Sequence, residues 1–109
     1  MGFLLVHSTF ADRESARRIA TQLVEERLAA CANLLPGVES IYRWQGALET
    51  AAEVAVVFKT TTERYPALES RLRALHPYEV PEIVAVPLAH GSASYLGWIA
   101  ASTEPDPAQ

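Results

Sequence analysis

The sequence predicts a single α+β domain whose elements run β-α-β-β-α-β and end with a further helix. Three observations predict it. A length of 109 residues suits one hydrophobic core. Half of the residues are hydrophobic and a fifth are charged, which is typical of a globular chain. Two apolar stripes at helical spacing separate segments of strand-like composition. We expect the domain over residues 1–102 and a flexible, proline-containing tail over residues 103–109.

The first strand and the first helix are predicted from residues 3 to about 28. Residues 3–9 form a strand that is apolar on both faces at its start. Asp12 is placed to cap the helix that follows, because its carboxylate can accept from a free backbone N–H. One apolar stripe runs along that helix at helical spacing; it consists of Ala16, Ile19, Ala20, Leu23, Val24 and Leu28.

A long hairpin is predicted next. Residues 32–44 form a strand that Pro36-Gly37 interrupts, and since proline cannot donate to a ladder, this strand should be a bulged edge. Gln45-Gly46 supplies a tight turn, and residues 48–60 return as a second long strand. Two consecutive strands across a short turn predict an antiparallel hairpin.

A second helix is predicted to begin at Thr62, with Glu63 near its positive end. Its buried stripe consists of Tyr65, Leu68, Leu72 and Leu75. Pro77 should end the helix near residue 75 or 76, because a proline disfavours the helical conformation of the residue before it.

The chain then predicts a fourth strand over residues 82–88, where Pro87 again indicates an edge, and a terminal helix over residues 92–101. The complete order is the split βαβ, or ferredoxin-like, arrangement. In that arrangement the first and third strands are central and the second and fourth are edges. The two proline-bearing strands fall on the edges, so the composition and the topology agree.

The composition of the third strand predicts an oligomer. Val54, Val56 and Phe58 lie on one face, and Ala55 and Val57 lie on the other. Two helices cover only one face of the sheet, so the other face needs a lid from another subunit. Each hairpin arm spans roughly 40 Å, from about 13 residues at about 3.3 Å each, against a domain diameter of roughly 35 Å. These physical arguments leave the number of subunits open; identical chains that associate usually form a closed ring.

Charge and cysteine content exclude several classes of partner and compartment. A net charge of −4 with no basic stripe argues against nucleic acid. Cys31 is the single cysteine, so no intrachain disulfide forms, which favours a reducing compartment. The N-terminus does not read as a signal peptide, and no apolar run reaches membrane-spanning length. We therefore expect a cytoplasmic protein with no membrane partner and no organic cofactor.

Several segments in order carry a family resemblance between about Val6 and Trp98. They are residues 28–33 (LAACAN), 40–46 (SIYRWQG), 59–60 (KT), 76–83 (HPYEVPEI) and 95–99 (YLGWI). Together they resemble the CutA family. The resemblance implies a ferredoxin-like homotrimer related in architecture to PII signalling proteins, and a link to tolerance of copper and other divalent cations. One departure is Phe10-Ala11, where the family commonly has a proline after the first strand.

Three residues are candidate metal ligands. Cys31 would offer a soft thiolate suited to Cu(I) or Zn; alternatively, it is a small buried hydrophobe. His76 would be a metal ligand or proton carrier on a proline-bounded turn; alternatively, it complements the end of the second helix. Glu79, near Glu82, could share a cation with His76, or both could be solvated. No local metal motif is present, so we expect a site for copper or another divalent cation assembled across a subunit boundary.

Four residues are candidates for a ligand pocket. Lys59 is the single lysine and could anchor a small anion; alternatively, it is a charge at the sheet edge that reaches water. Tyr42, Trp44 and Tyr78 could line the pocket, although such aromatics also serve as interface and core.

The favoured function is a divalent metal cation (copper) binding and tolerance trimer without turnover, whose ligand site lies at the subunit interface. One alternative is a small-molecule-binding signalling trimer. Another is a small enzyme acting in the intersubunit cleft, with His76 as general base and Lys59 as electrostatic stabiliser. A third is a scaffold that binds another protein through aromatics at the hairpin tip. No triad order, nucleotide-binding glycine loop or paired-acid motif is apparent.

Overall fold

The computed structural model describes residues 2–106 and shows the ferredoxin-like arrangement that the sequence predicts. The elements are β1 (Phe3–Phe10), α1 (Arg13–Glu25), β2 (Cys31–Trp44), β3 (Ala47–Thr61), α2 (Tyr65–Leu75), β4 (Val84–Pro87) and α3 (Ala93–Ser102). The strands form one antiparallel sheet in the order β2-β3-β1-β4. Both proline-bearing strands lie at the edges, as predicted. No helix within these residues is both long and apolar enough to span a bilayer.

Helix α1 begins where the sequence predicts and ends earlier. The Asp12 carboxylate accepts the backbone N–H of Ser15 at 2.7 Å, which satisfies a donor at the start of the helix. The helix stops after Glu25, and Arg27 takes a left-handed conformation with φ of 62°. Leu28, predicted as part of the helical stripe, therefore lies beyond the helix, and its N–H donates to the carbonyl of Leu23. Its side chain is still buried.

A buried hydrogen bond ties this connection to the sheet and yields a stability prediction. The Thr60 hydroxyl donates to the Leu28 carbonyl at 2.7 Å, and Thr60 is fully buried. Thr60→Val keeps the shape of the side chain and leaves that carbonyl without this donor, so we expect a loss of about 1–3 kcal/mol of unfolding free energy. Urea unfolding measures it. Thr50→Val, at an exposed position of β3, is the matched control. Equal stability changes in the two variants would contradict the prediction.

The hairpin formed by β2 and β3 has the predicted bulge and turn. The register shifts between Leu35 and Val38, where Gly37 has a φ of 84°. Gln45 and Gly46 have φ values of 50° and 81°, and two positive φ values in a two-residue turn match the twist of the flanking strands. The structure measures 45 × 31 × 22 Å. Side chains from residues 43 to 50 are exposed, so the tip has little cover from its own domain.

Two boundaries in the second half of the chain differ from the sequence prediction. Helix α2 begins at Tyr65, not Thr62, because the preceding residues form a turn in which the Thr61 hydroxyl accepts the Arg64 N–H at 3.2 Å. Pro66 then falls in the first helical turn. Backbone N–H groups there have no acceptor within the helix, so the missing N–H of proline costs no helical hydrogen bond. Strand β4 covers Val84–Pro87, shorter than the predicted 82–88, since it pairs with a short stretch of β1.

The helix-covered face of the sheet carries the main core. Its buried residues alternate along the central strands and meet the apolar stripes of α1 and α2; the core comprises Val6, Phe10, Val54, Val56, Phe58, Ile19, Leu23, Leu68 and Leu72, among others. The opposite face, called the open sheet face below, carries the half-buried residues Leu5, His7, Ala55 and Val57. On β4, Val86 pairs with Leu5 and is 49% exposed, so the open sheet face is apolar and largely uncovered at that edge.

The end of α3 packs against the domain. Thr103, the first residue of the predicted flexible tail, is buried, and its hydroxyl donates to the Ile99 carbonyl at 2.9 Å. Residues 107–109 lie outside the described residues, and the flexibility of the tail stays a prediction.

Candidate functional site

His76 follows α2 and connects two parts of the fold. Its ring stacks on Phe10, with 4.4 Å between centroids and 16° between planes. Nε2 lies 2.8 Å from the Thr9 carbonyl oxygen, and Nδ1 lies 3.1 Å from the backbone nitrogen of Tyr78. A backbone N–H can only donate and a carbonyl can only accept, so the proton is on Nε2 and Nδ1 accepts. His76 therefore holds the segment after α2 against the end of β1.

The protonation of His76 follows from this environment. Burial lowers its pKa below the usual 6.5, although the Thr9 carbonyl and the Glu53 carboxylate act in the opposite direction. The neutral ring uses both of its nitrogens in hydrogen bonds. Binding a metal or accepting a proton would require Nδ1 to release the Tyr78 N–H, so both roles stay predictions that demand a local rearrangement.

The segment held by His76 forms one wall of a cavity of about 340 Å³ under the hairpin. The Tyr78 ring lies 4.7 Å from the His76 ring, and its hydroxyl donates to Glu53 Oε2 at 2.6 Å. Burial and the bond to the Glu53 carboxylate raise the pKa of Tyr78, so its hydroxyl stays a donor. We call this cavity the acidic–aromatic pocket; it is lined by Thr9, Tyr42, Trp44, Glu53, Tyr78, Glu79, Val80 and Glu82.

The structure brings together most, but not all, of the residues predicted for a ligand pocket. Tyr42, Trp44 and Tyr78 line the acidic–aromatic pocket, together with the candidate metal ligand Glu79. Glu53 was missed by sequence reasoning. Its sequence signal was a carboxylate at the start of the apolar segment of the third strand. In the structure Glu53 pairs with Val38, which directly follows the bulge. Whether these residues bind a ligand stays a prediction.

Lys59 lies at the other end of the hairpin, next to the candidate ligand Cys31. The two residues are cross-strand partners. Lys59 Nζ donates to Asn33 Oδ1 at 2.6 Å, Cys31 Sγ lies 3.8 Å from the Tyr95 hydroxyl oxygen, and Lys59 Nζ lies 5.8 Å from the centroid of the Tyr95 ring. We call these four residues the thiol–lysine cluster. Burial acts to lower the pKa of Lys59, but charge interactions and hydrogen bonds with Cys31 and Tyr95 act in the opposite direction. Together they outweigh burial, so the pKa of Lys59 is raised above its usual value.

The thiol–lysine cluster and His76 are far apart within one chain. Thr9, which His76 contacts, pairs with Ala55, and Lys59 lies four residues further along β3, about 13 Å at the usual rise per residue. His76 packs on the helix-covered face, whereas Lys59 alternates onto the open sheet face. Within residues 2–106 no three His, Cys, Asp or Glu side chains converge as a metal site. A metal shared by Cys31 and His76 would thus need more than one copy of the chain.

These features define a class of protein: a ferredoxin-like α+β domain whose long hairpin forms part of the wall of the acidic–aromatic pocket. The sequence profile described as "CutA1 divalent ion tolerance protein" matches residues 4–102. The chain therefore belongs to the CutA1 divalent ion tolerance family, as the resemblance predicted.

Individual relatives agree with this family membership. The chain is 54% identical over 95 residues to "Divalent-cation tolerance protein CutA" of Thermus thermophilus, covering 87% of this chain and 92% of the relative. A solved structure of the divalent cation tolerance protein from Thermus thermophilus superposes with a TM-score of 0.91 at 51% identity, covering 94% of this chain and 99% of that one. The CutA structure from Xylella fastidiosa has a TM-score of 0.91 at 45% identity, covering 94% and 98%.

Proposed function

We propose that this chain is a cytoplasmic homotrimer that contributes to tolerance of divalent cations by binding copper where its subunits meet. Family membership supports the link to divalent cations. The observation that carries the subunit interface is the β4 edge of the open sheet face, where the apolar residues Val84 and Val86 remain about half exposed in the single chain.

Four exposed apolar residues support association between copies of the chain. Val84 and Val86 on β4 are 54% and 49% exposed, and Ile41 and Leu48 near the hairpin tip are 66% and 70% exposed. Burying apolar area contributes roughly 25 cal/mol per Å², so association of copies is favoured. Identical chains most often close into a ring, and the family resemblance supports three subunits.

The proposed copper site takes Cys31 from one copy and His76 and Glu79 from another. Thiolate and imidazole are ligands that copper and zinc prefer. Two copies are needed because Cys31 and His76 lie on opposite faces of the sheet in one chain. His76 would have to exchange its Tyr78 N–H contact for the metal.

Sedimentation and metal titration under reducing conditions test this proposal together. We expect a trimer at low micromolar concentration that binds one Cu(I) or Zn(II) ion per chain. Cys31→Ser and His76→Gln should each weaken binding about tenfold or more, in line with loss of a metal ligand. His90→Gln, at an exposed histidine, is the matched control. A stable single chain would overturn the assembly, and unchanged affinity in both variants would overturn the ligand set.

The acidic–aromatic pocket favours a second candidate, a trimer that binds a small molecule. Its volume of about 340 Å³ is at the lower end of the range of small-molecule sites, roughly 300–1,000 Å³. Aromatic walls and a few placed polar groups are also typical of such sites. The enzyme alternative has weaker support, because the Nδ1 lone pair of its general base accepts the Tyr78 N–H.

A further inference from the structure

The charge of the acidic–aromatic pocket indicates what kind of small molecule it suits. Three carboxylates line it, from Glu53, Glu79 and Glu82, and none of the described lining residues is a lysine, arginine or histidine. An anion entering the pocket would meet like charges without a compensating group. A cation would be attracted, and more strongly than in open water, because the cavity walls exclude part of the solvent.

The aromatic lining adds a second preference. Tyr42, Trp44 and Tyr78 line the same cavity. Aromatic rings attract cations through their negative faces, and Trp is the strongest of these attractors. Such rings suit a cation with an apolar or delocalised surface, such as an alkylammonium or a guanidinium, better than a small hydrated ion. Carboxylate and aromatic groups in one cavity therefore indicate an organic cation.

The wall that carries these groups is already in place without a ligand. Tyr78 Oη donates to Glu53 Oε2 at 2.6 Å, which orients a carboxylate that lines the cavity. Behind Tyr78, the His76 ring lies 4.7 Å away and is stacked on the fully buried Phe10. A prearranged acceptor requires less ordering when the ligand binds, so affinity gains from this support.

The same geometry does not suit a bare metal ion. Within residues 2–106 no three acidic, histidine or cysteine side chains converge on one point, so the pocket carboxylates are too dispersed for a shared ion. We infer that the acidic–aromatic pocket binds a small organic cation, an amine or guanidinium compound, whose charge lies against Glu53 between the aromatic side chains. This inference rests on the small-molecule candidate above; because Glu79 lines this pocket and is also a proposed copper ligand, the two proposals are tested separately.

Calorimetric titration of the full chain with matched small compounds tests the inference. The cations are agmatine, putrescine and tetramethylammonium; 1,4-butanediol is the uncharged comparator and succinate the anionic one. We expect saturable binding of at least one cation and no binding of either comparator. Glu53→Gln should weaken that binding about tenfold or more, because it removes the carboxylate charge at constant shape. Tyr78→Phe should weaken it less, since the carboxylate remains but loses its orienting donor.

The control for Glu53→Gln is the same substitution at a glutamate outside the pocket. Glu39→Gln makes the same charge change at an exposed position of β2 outside the pocket lining and should leave binding unchanged. Thermal unfolding and sedimentation of each variant show that the fold is retained. Preferred binding of butanediol or succinate would overturn the cation inference and leave the small-molecule candidate standing. Absence of binding by any compound, or equal weakening in Glu39→Gln and Glu53→Gln, would overturn the inference, while the metal titration would still judge the copper site separately.

Discussion

Phe58→Ala is expected to lose about 3–5 kcal/mol of unfolding free energy. Phe58 is fully buried in the central strand β3, where it pairs with Val6 on one side and Ala32 on the other. It belongs to the core that joins the sheet to α1 and α2. Removing its ring leaves a cavity that close-packed neighbours fill only in part. Chemical denaturation at fixed protein concentration measures the change.

A graded series separates loss of volume from other effects of the substitution. Phe58→Leu removes fewer buried atoms, so its loss of stability should fall between the wild type and Phe58→Ala. Both variants should keep the slope of unfolding free energy against denaturant, as a change confined to stability would. If Phe58→Ala lost less than about 1 kcal/mol, the placement of this side chain in the core would be wrong.

His76→Ala is expected to lose about 2–4 kcal/mol, and to loosen the wall of the acidic–aromatic pocket. The substitution removes the stack on Phe10 and both ring hydrogen bonds, so the Thr9 carbonyl and the Tyr78 N–H lose these partners. Tyr78 should then move more freely, and its fluorescence and hydrogen-exchange behaviour should report that change. Wild-type stability and unchanged protection of residues 77–80 would contradict the structural role of His76.

The pH dependence of stability gives an independent check on His76. Its folded-state pKa lies below the unfolded value of 6.5 because burial disfavours the charged ring. The unfolded chain therefore takes up the proton first as the pH falls, and the stability contributed by the neutral ring is present above pH 6.5 and lost toward the folded pKa. We expect the wild type to lose stability over this interval more steeply than His76→Gln, which cannot titrate there. Parallel profiles would show that this histidine is not buried in its neutral form.

Much of the fold could be predicted because its determinants are local. Pro36 and Pro87 lack the N–H that a central strand needs, so they identify the edge strands. The alternation of Val54, Val56 and Phe58 predicts that they share one face of β3, and the structure buries all three in the core against the helices. The start of α2 was misplaced because capping at Thr61 competes with the first helical turn, and the sequence alone does not decide between them.

The sequence by itself determined the order of the elements, the hairpin turn, the edge strands and the family, since each depends on residue types at short, readable spacings. Only the tertiary structure decided that Glu53 meets Tyr78 in one pocket, that the Nδ1 lone pair of His76 is occupied, and that Cys31 lies far from His76 in the same chain. The physical reason is that a side chain's partners across a sheet depend on strand register, bulge position and the face each residue takes. These are properties of packing between distant segments, and no local pattern encodes them.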